Sequence, residues 1–300
     1  MSDLKRGAPS NHPFSTAEQA LYARHLVLPE LGLEGQKKLK AAKVLVVGAG
    51  GLGSPLLLYL AAAGVGKIGI VDGDKVDYSN LHRQVLYTTE DVGKPKVQAA
   101  KERLQQLNSY IKIDTFFEFL NRDNALNIIS EYDIIADGSD NFPTRYLVND
   151  ACVICNKINV YASIFRFEGQ VSVFNYVNKN GSRGVNYRDL YPVPPAPDSV
   201  PNCAESGVLG VLPGIIGSMQ ASEVIKIITS IGEPLTGKLF VFDAASFSSL
   251  TLNINKKSNI RITELLDYEL FCHSPLPKQI KAVSIEKLHQ LKTENTDFQL

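Results

Sequence analysis

Short apolar runs recur along the first half of the chain, at residues 44–47, 68–71, 111–117, 134–136 and 160–164. Runs of this length, rich in β-branched residues, predict strands buried on both faces. Helical patterns separate them at 56–63, 96–107 and 123–129. Upstream, Ser15-Thr-Ala-Glu18 has the form of a capping box and opens a helix that carries Tyr22, Arg24 and His25. A second short helix is predicted around 34–42. Alternating strands and helices imply a parallel sheet covered on both sides. Beyond Phe165 the pattern changes. Residues 169–177 alternate apolar with polar, as an antiparallel strand does. A polar, proline-rich stretch follows at 178–202, long enough to be functional or disordered. A helix at 214–231 and two strands at 238–242 and 248–254 complete the pattern. The expected class is α/β: a Rossmann-like, mostly parallel sheet continuing into antiparallel strands, with helices on both faces.

One junction stands out. Lys43-Val-Leu-Val-Val runs straight into Gly48-Ala-Gly50-Gly51-Leu-Gly53, then into an apolar helix and a second strand ending on Asp72. Strand, glycine turn, helix, strand and acid is the layout of a dinucleotide-type phosphate site. Gly48 permits the tight turn, Gly50 and Gly51 leave backbone bare for a phosphate, and Gly53 lets the helix approach the sheet. The helix N-terminus adds free N–H groups and partial positive charge. Asp72 is placed for ribose hydroxyls.

Composition narrows the classes. Thirty-one basic residues balance thirty-one acidic ones among 300, so no basic footprint for nucleic acid is expected. The apolar fraction of 44% supplies a real core. The N-terminus is polar and lacks a signal-peptide core. The longest apolar run, 207–219, is broken by Gly and Pro213 and is too short for a bilayer, so no membrane partner is expected. Four cysteines do not make a disulfide framework, and a reducing cytoplasm is the default.

A glycine turn alone fits NAD, FAD and ATP alike. The text after it discriminates: Asp72-Gly-Asp74, Ser79-Asn80-Leu-His-Arg83-Gln84 and Gly93-Lys94-Pro-Lys96. Arg and Lys near the turn suit a triphosphate, which carries more charge than a nicotinamide cofactor's diphosphate. Asp137-Gly-Ser-Asp140-Asn141 follows a later strand and ends in Arg145. A carboxylate at that end of a parallel strand points to the ligand crevice and suits Mg²⁺ on a triphosphate.

These motifs, in this order, resemble the MoeB/ThiF family, which is related to ubiquitin-activating enzymes. The match runs from Tyr22-Ala-Arg24-His to about Phe247. The resemblance implies ATP-dependent adenylation of a ubiquitin-like sulfur carrier at its C-terminal Gly-Gly carboxylate, with release of pyrophosphate. It implies that Gly48, Gly50, Gly51 and Gly53 line the nucleotide and that Asp72 takes the ribose. Ser79, Asn80, Arg83, Gln84 and Lys96 then surround the phosphates, and Asp140, beside Asn141, carries Mg²⁺. Arg24 matches an arginine that the family reaches across a homodimer into the partner's site. Cys203, in Val200-Pro-Asn-Cys203-Ala-Glu, matches a cysteine that in some relatives bonds covalently to the carrier. The named catalytic set is thus Arg24, Arg83, Lys96, Asp140 and Cys203. The residues leave open whether the carrier is of molybdopterin, thiazole or tRNA-thiolation type.

There are departures. Many members bind a structural zinc through two C-x-x-C pairs. This chain has no cysteine between 181 and 190, and only Cys272-His273 near the second position. Zinc is therefore not expected, since a tetrahedral site needs four ligands. Cys152 and Cys155 are read as core, and Asp74, His25 and His82 as structural. The expected organisation is a ThiF-type adenylation domain with N-terminal helices at 1–255, a linker at 256–280, and a truncated start of a rhodanese-like domain at 281–300. A sulfurtransferase would then be a further partner. Two other classes compete: an NAD(P)-dependent oxidoreductase using the same turn, and a non-catalytic, nucleotide-regulated scaffold.

Overall fold

The computed structural model describes residues 13–195, 207–257 and 260–273. Three helices lead in: α1 (Thr16–Leu21), α2 (Ala23–Leu26) and α3 (Gly32–Ala41). The predicted capping box is present, with Glu18 N donating to Ser15 Oγ and Ser15 N donating to the Glu18 carboxylate.

The alternating part runs β1 (Lys43–Val47), α4 (Gly53–Ala63), β2 (Lys67–Val71), α5 (Lys96–Leu107), β3 (Lys112–Phe116), α6 (Ala125–Ser130), β4 (Ile134–Asp137), α7 (Phe142–Ile154) and β5 (Ile158–Phe165). Then come β6 (Glu168–Phe174), α8 (Tyr187–Leu190), α9 (Leu212–Thr229), β7 (Lys238–Asp243), β8 (Ser248–Asn253) and α10 (Tyr268–His273). Among the described residues, eight strands form one sheet in the order β3-β2-β1-β4-β5-β6-β7-β8. The pairs from β3 to β5 are parallel, and those from β5 to β8 antiparallel. The expected class and its change of direction after Phe165 are both present.

Burial explains the uninterrupted apolar strands. In β1, Val44 and Val46 enter the core shared with α4, α5 and α9, while Leu45 and Val47 enter the core under α6 and α7. With both faces covered, alternation has no polar side to show. The chain order reverses between β1 and β4: β2 and β3 build outward on one side, β4 and β5 on the other. In such sheets the crevice lies at the carboxyl ends of those two strands.

Two stretches pack more fully than the sequence pattern implies. Within the proline-rich stretch, Tyr187, Arg188, Asp189 and Leu190 are buried. Here Asn186 and Asp189 form a capping box, and Asp189 also accepts from Lys257 N at 2.7 Å. Within the span read as a linker, Leu265, Tyr268 and Cys272 join the core under α7 rather than standing clear as an extended tether. The anchor is Asp150 on α7. It accepts Nε and a terminal nitrogen of Arg188 at 2.8 and 2.7 Å, and the Tyr268 hydroxyl at 2.8 Å. The Arg188 guanidinium also lies over the rings of Tyr146 and Phe271. Residues 281–300 lie outside the described residues, as does Cys203.

The buried Asp150–Arg188 pair makes a prediction. Asp150→Ala strands a buried guanidinium, so urea denaturation should show a loss of about 3–5 kcal/mol. Unchanged stability would mean that α10 and α8 do not depend on this anchor.

Candidate nucleotide site

The site begins with the turn between β1 and α4. Gly48 has φ +87°, a left-handed conformation, and a Cβ there would stand 3.0 Å from the carbonyl of Gly138 after β4. The loops after β1 and β4 are therefore nearly in contact. A Cβ on Gly53 would stand 2.1 Å from the Gly48 carbonyl, so only glycine lets α4 start this close to the strand. At Gly50 the nearest atom to an added Cβ is Gln84 Nε2, at 3.6 Å. Gly51 is flanked by Pro213 of α9 and the aliphatic stem of Arg83. No side chain caps α4; in its first turn Ser54 N already donates to the Gly50 carbonyl at 2.9 Å and Pro55 has no N–H, so any backbone donors left for a ligand lie at Gly53 and in the turn before it.

Asp72, just beyond β2, closes the turn from the side. Its carboxylate accepts Ala49 N and Asp74 N, each at 2.8 Å. Burial pushes its carboxyl above the ordinary range, against the pull of Lys96 and of these two N–H groups. The same aspartate thus shapes the turn and offers oxygens beside it. Tyr87 seals the floor, its buried hydroxyl donating to the Ala49 carbonyl at 2.7 Å.

The wall is the segment 77–84. Asp77 holds a 3-10 turn, Tyr78–Asn80, by accepting from Ser79 N and Ser79 Oγ. Arg83 donates to the Ser79 carbonyl at 3.1 Å and lies 2.9 Å from a His82 ring nitrogen. Gln84 is buried, and its Oε1 has no partner. Lys96, the first residue of α5, is only 6% exposed and donates to Asp74 at 2.8 Å. Asp74 is therefore the partner of this buried ammonium.

The second loop runs from Asp137 to Asn141. Asp137 is fully buried and accepts Ser139 N at 3.0 Å, and burial pushes its carboxyl upward. Asp140 is exposed at the loop's tip. Asn141 caps α7 by accepting Thr144 N at 2.9 Å, and its amide reaches Asp140 at 3.5 Å.

The fold thus gathers Gly48, Gly50, Gly51, Gly53, Asp72, Arg83, Gln84, Lys96 and the 137–141 loop at one crevice. Ser79 and Asn141 hold their loops through their own side chains. Arg24 stands exposed on α2, and no hydrogen bond or ion pair ties it to the turn. Among the described residues no three His, Cys, Asp or Glu side chains cluster as a metal site, and no helix is long and apolar enough to cross a membrane. Tyr87, Pro213 and Gln220 belong to the site but carried no sequence signal. Gln220, buried on α9, donates to the carbonyls of Asp137 on β4 and Val160 on β5, each at 2.8 Å.

Comparison with known proteins follows the same lines. Residues 22–262 match the ThiF family. The chain is 52% identical over 258 residues to a sulfur carrier protein adenylyltransferase of Thermus thermophilus, covering 84% of this chain and 95% of that one. It is 54% identical to the probable adenylyltransferase/sulfurtransferase MoeZ of Mycobacterium tuberculosis, covering 86% of this chain but 66% of the relative. Against the adenylyltransferase and sulfurtransferase MOCS3 of Danio rerio it is 46% identical and spans 59% of the relative's length. Among solved structures, Escherichia coli MccB with MccA-N7isoASN superposes with a TM-score of 0.72 at 25% identity, covering 85% of this chain and 76% of MccB. MccB with ATP gives 0.67, also at 25%, covering 77% and 69%.

The raised Asp137 carboxyl makes a pH prediction. A raised acid binds its proton more readily in the folded state, so ionising it costs stability as pH climbs from the ordinary carboxylate range through the folded pKa. Asp137→Asn should therefore gain progressively on the wild type in urea midpoint as pH rises above the ordinary carboxylate range. A difference that does not change with pH would remove the burial argument.

Proposed function

The chain belongs to the ThiF family, and we propose that it adenylates the C-terminal carboxylate of a ubiquitin-like sulfur carrier ending in Gly-Gly. The carrying observation is the pairing of two loops. A bare glycine turn with an uncapped helix stands against a second loop bearing an exposed carboxylate, at the switch point of the sheet. Relatives that the chain matches over most of its length are named for this reaction. Neither an oxidoreductase nor a scaffold reading is favoured.

The residues fit ATP. Gly50 leaves backbone open at the head of α4, with the Gln84 amide nitrogen as the nearest neighbour of an added Cβ, while Pro213 and Arg83 line the Gly51 side. Asp72 keeps lone pairs for ribose hydroxyls. Arg83 and Lys96 neutralise phosphate charge, Lys96 exchanging Asp74 for it. Mg²⁺ fits as well, because this ion is commonly held by one or two carboxylates together with substrate phosphates. Asp140 is the exposed carboxylate for it, and the ion would supply charge neutralisation across the phosphates.

In the reaction, a carboxylate oxygen of the carrier's terminal glycine bonds to the α-phosphorus. The bond from that phosphorus to the bridging oxygen breaks, and pyrophosphate leaves with the electron pair. No side chain has to move a proton. Catalysis is alignment of two anions and compensation of their charge. The cations that bring them together are Arg83 and Lys96, with Arg24 reaching from the second copy of a homodimer. An exposed Arg24, clear of its own turn, is what such a crossing requires. Cys203 acts after adenylation, as a covalent attachment point for the activated carrier.

ATP–pyrophosphate exchange dependent on a Gly-Gly carrier tests the reading, and no exchange with any carrier of the same organism would refute it. Asp140→Ala should lower exchange by at least about 100-fold while keeping the fold. Arg24→Ala and Asp140→Ala chains, each inactive alone, should regain exchange when co-expressed, because one site of the mixed dimer is then intact. Continued inactivity of a mixed dimer would place Arg24 outside the site. Cys203→Ala should leave exchange unchanged and slow only later sulfur transfer.

A further inference from the structure

Arg145 is a buried cation that none of the roles above uses. It sits in the first turns of α7, only 8% exposed, and among the described residues no carboxylate pairs with it as an ion pair. A buried guanidinium without a paired acid is costly and calls for a reason. Its guanidinium lies over the Phe142 ring, 5.4 Å from the centroid, and the nearby carboxylates acting on it are Asp137 and Asp140. One terminal nitrogen donates to the Ser139 carbonyl at 3.4 Å, and its Nε has no partner.

That single bond has an informative address. The Ser139 carbonyl belongs to the peptide unit that carries the Asp140 N and Cα. A peptide unit is planar, so holding its oxygen restricts the direction in which Asp140 leaves the loop. The N–H on the other side of Ser139 is held too, by Asp137 at 3.0 Å. Downstream, Asn141 is fixed as the cap of α7. Asp140 is therefore an exposed side chain on a backbone clamped on both sides. Arg145 does this from within the protein while carrying a charge of opposite sign to Asp140.

We propose that Arg145 is the positioning residue of the Asp140 loop. It holds the Ser139–Asp140 peptide unit and shares its charge between buried Asp137 and exposed Asp140, so that Asp140 is aimed before metal and nucleotide arrive. This deepens the reading of Asp140 given above and rests on it. Lysine keeps the charge but not the planar fork, and glutamine keeps neither.

The test uses the full-length chain, Arg145→Gln and Arg145→Lys. In metal-free, nucleotide-free protein, hydrogen exchange at the amides of residues 138–141 should be faster in both variants, more so in the glutamine one. Binding of ATP should then be titrated with Mg²⁺ and again in EDTA. The half-saturating Mg²⁺ concentration should rise about tenfold in Arg145→Gln, as expected when a group supporting a metal ligand is lost. It should rise less in Arg145→Lys, and binding in EDTA should stay close to wild type. Wild-type loop exchange and Mg²⁺ dependence in a folded Arg145→Gln overturn the proposal. If that variant does not fold, Arg145→Lys decides alone, and wild-type values there overturn it equally. Wild-type protein that binds no Mg²⁺–ATP would instead sink the underlying reading, while the exchange measurement still judges the clamp.

Discussion

Close approach of backbone to backbone is the constraint on which the rest of this structure depends. The carbonyl of Gly48 is so near the start of α4 that a single Cβ on Gly53 cannot be placed, and a Cβ on Gly48 would crowd the Gly138 carbonyl. Three chain segments thereby converge where the sheet reverses direction. The convergence brings the uncapped head of α4 against the loop after β4. Asp72 then locks the turn through Ala49 N, and Tyr87 locks it through the Ala49 carbonyl. Side chains that carry charge are arranged around a site whose floor is backbone.

Much of this was legible in the sequence because the relevant signals are local. β1 and β2 lie where their apolar runs are, and the turn reads directly from Gly48 to Gly53. Other parts were hidden for physical reasons. Helix α7 buries Arg145, Asn149 and Asp150, so it lacks the polar face that marks a helix, and Pro143 in its first turn resembles a breaker. The packing of Leu265, Tyr268 and Cys272 depends on Asp150 and Arg188, partners far away in sequence. Tyr87, Pro213 and Gln220 reach the site from separate elements, and nothing in their neighbourhood announces it.

The charged residues also sort by what already holds them. Arg83 is steered by its own segment, Asp140 by the peptide units around it, and Arg24 by nothing nearby. The resemblance of motifs identifies these positions, while the geometry separates groups that are preset from one that is presented outward. Under the proposed reading, a site divided in this way would draw its last cation from a second copy of the chain.

The ion pair between Lys96 and Asp74 has a consequence for discrimination among anions. The ammonium is nearly buried, whereas Asp74 is about half exposed. Any anion that recruits Lys96 has to displace a carboxylate, which then returns easily to water. A small anion with one contact gains little from that exchange. A polyphosphate that also lies on the turn and meets Arg83 gains several contacts at once. Under the proposed reading, the pair would set a threshold that favours a ligand long enough to meet the turn, Arg83 and Lys96 together over a simple anion.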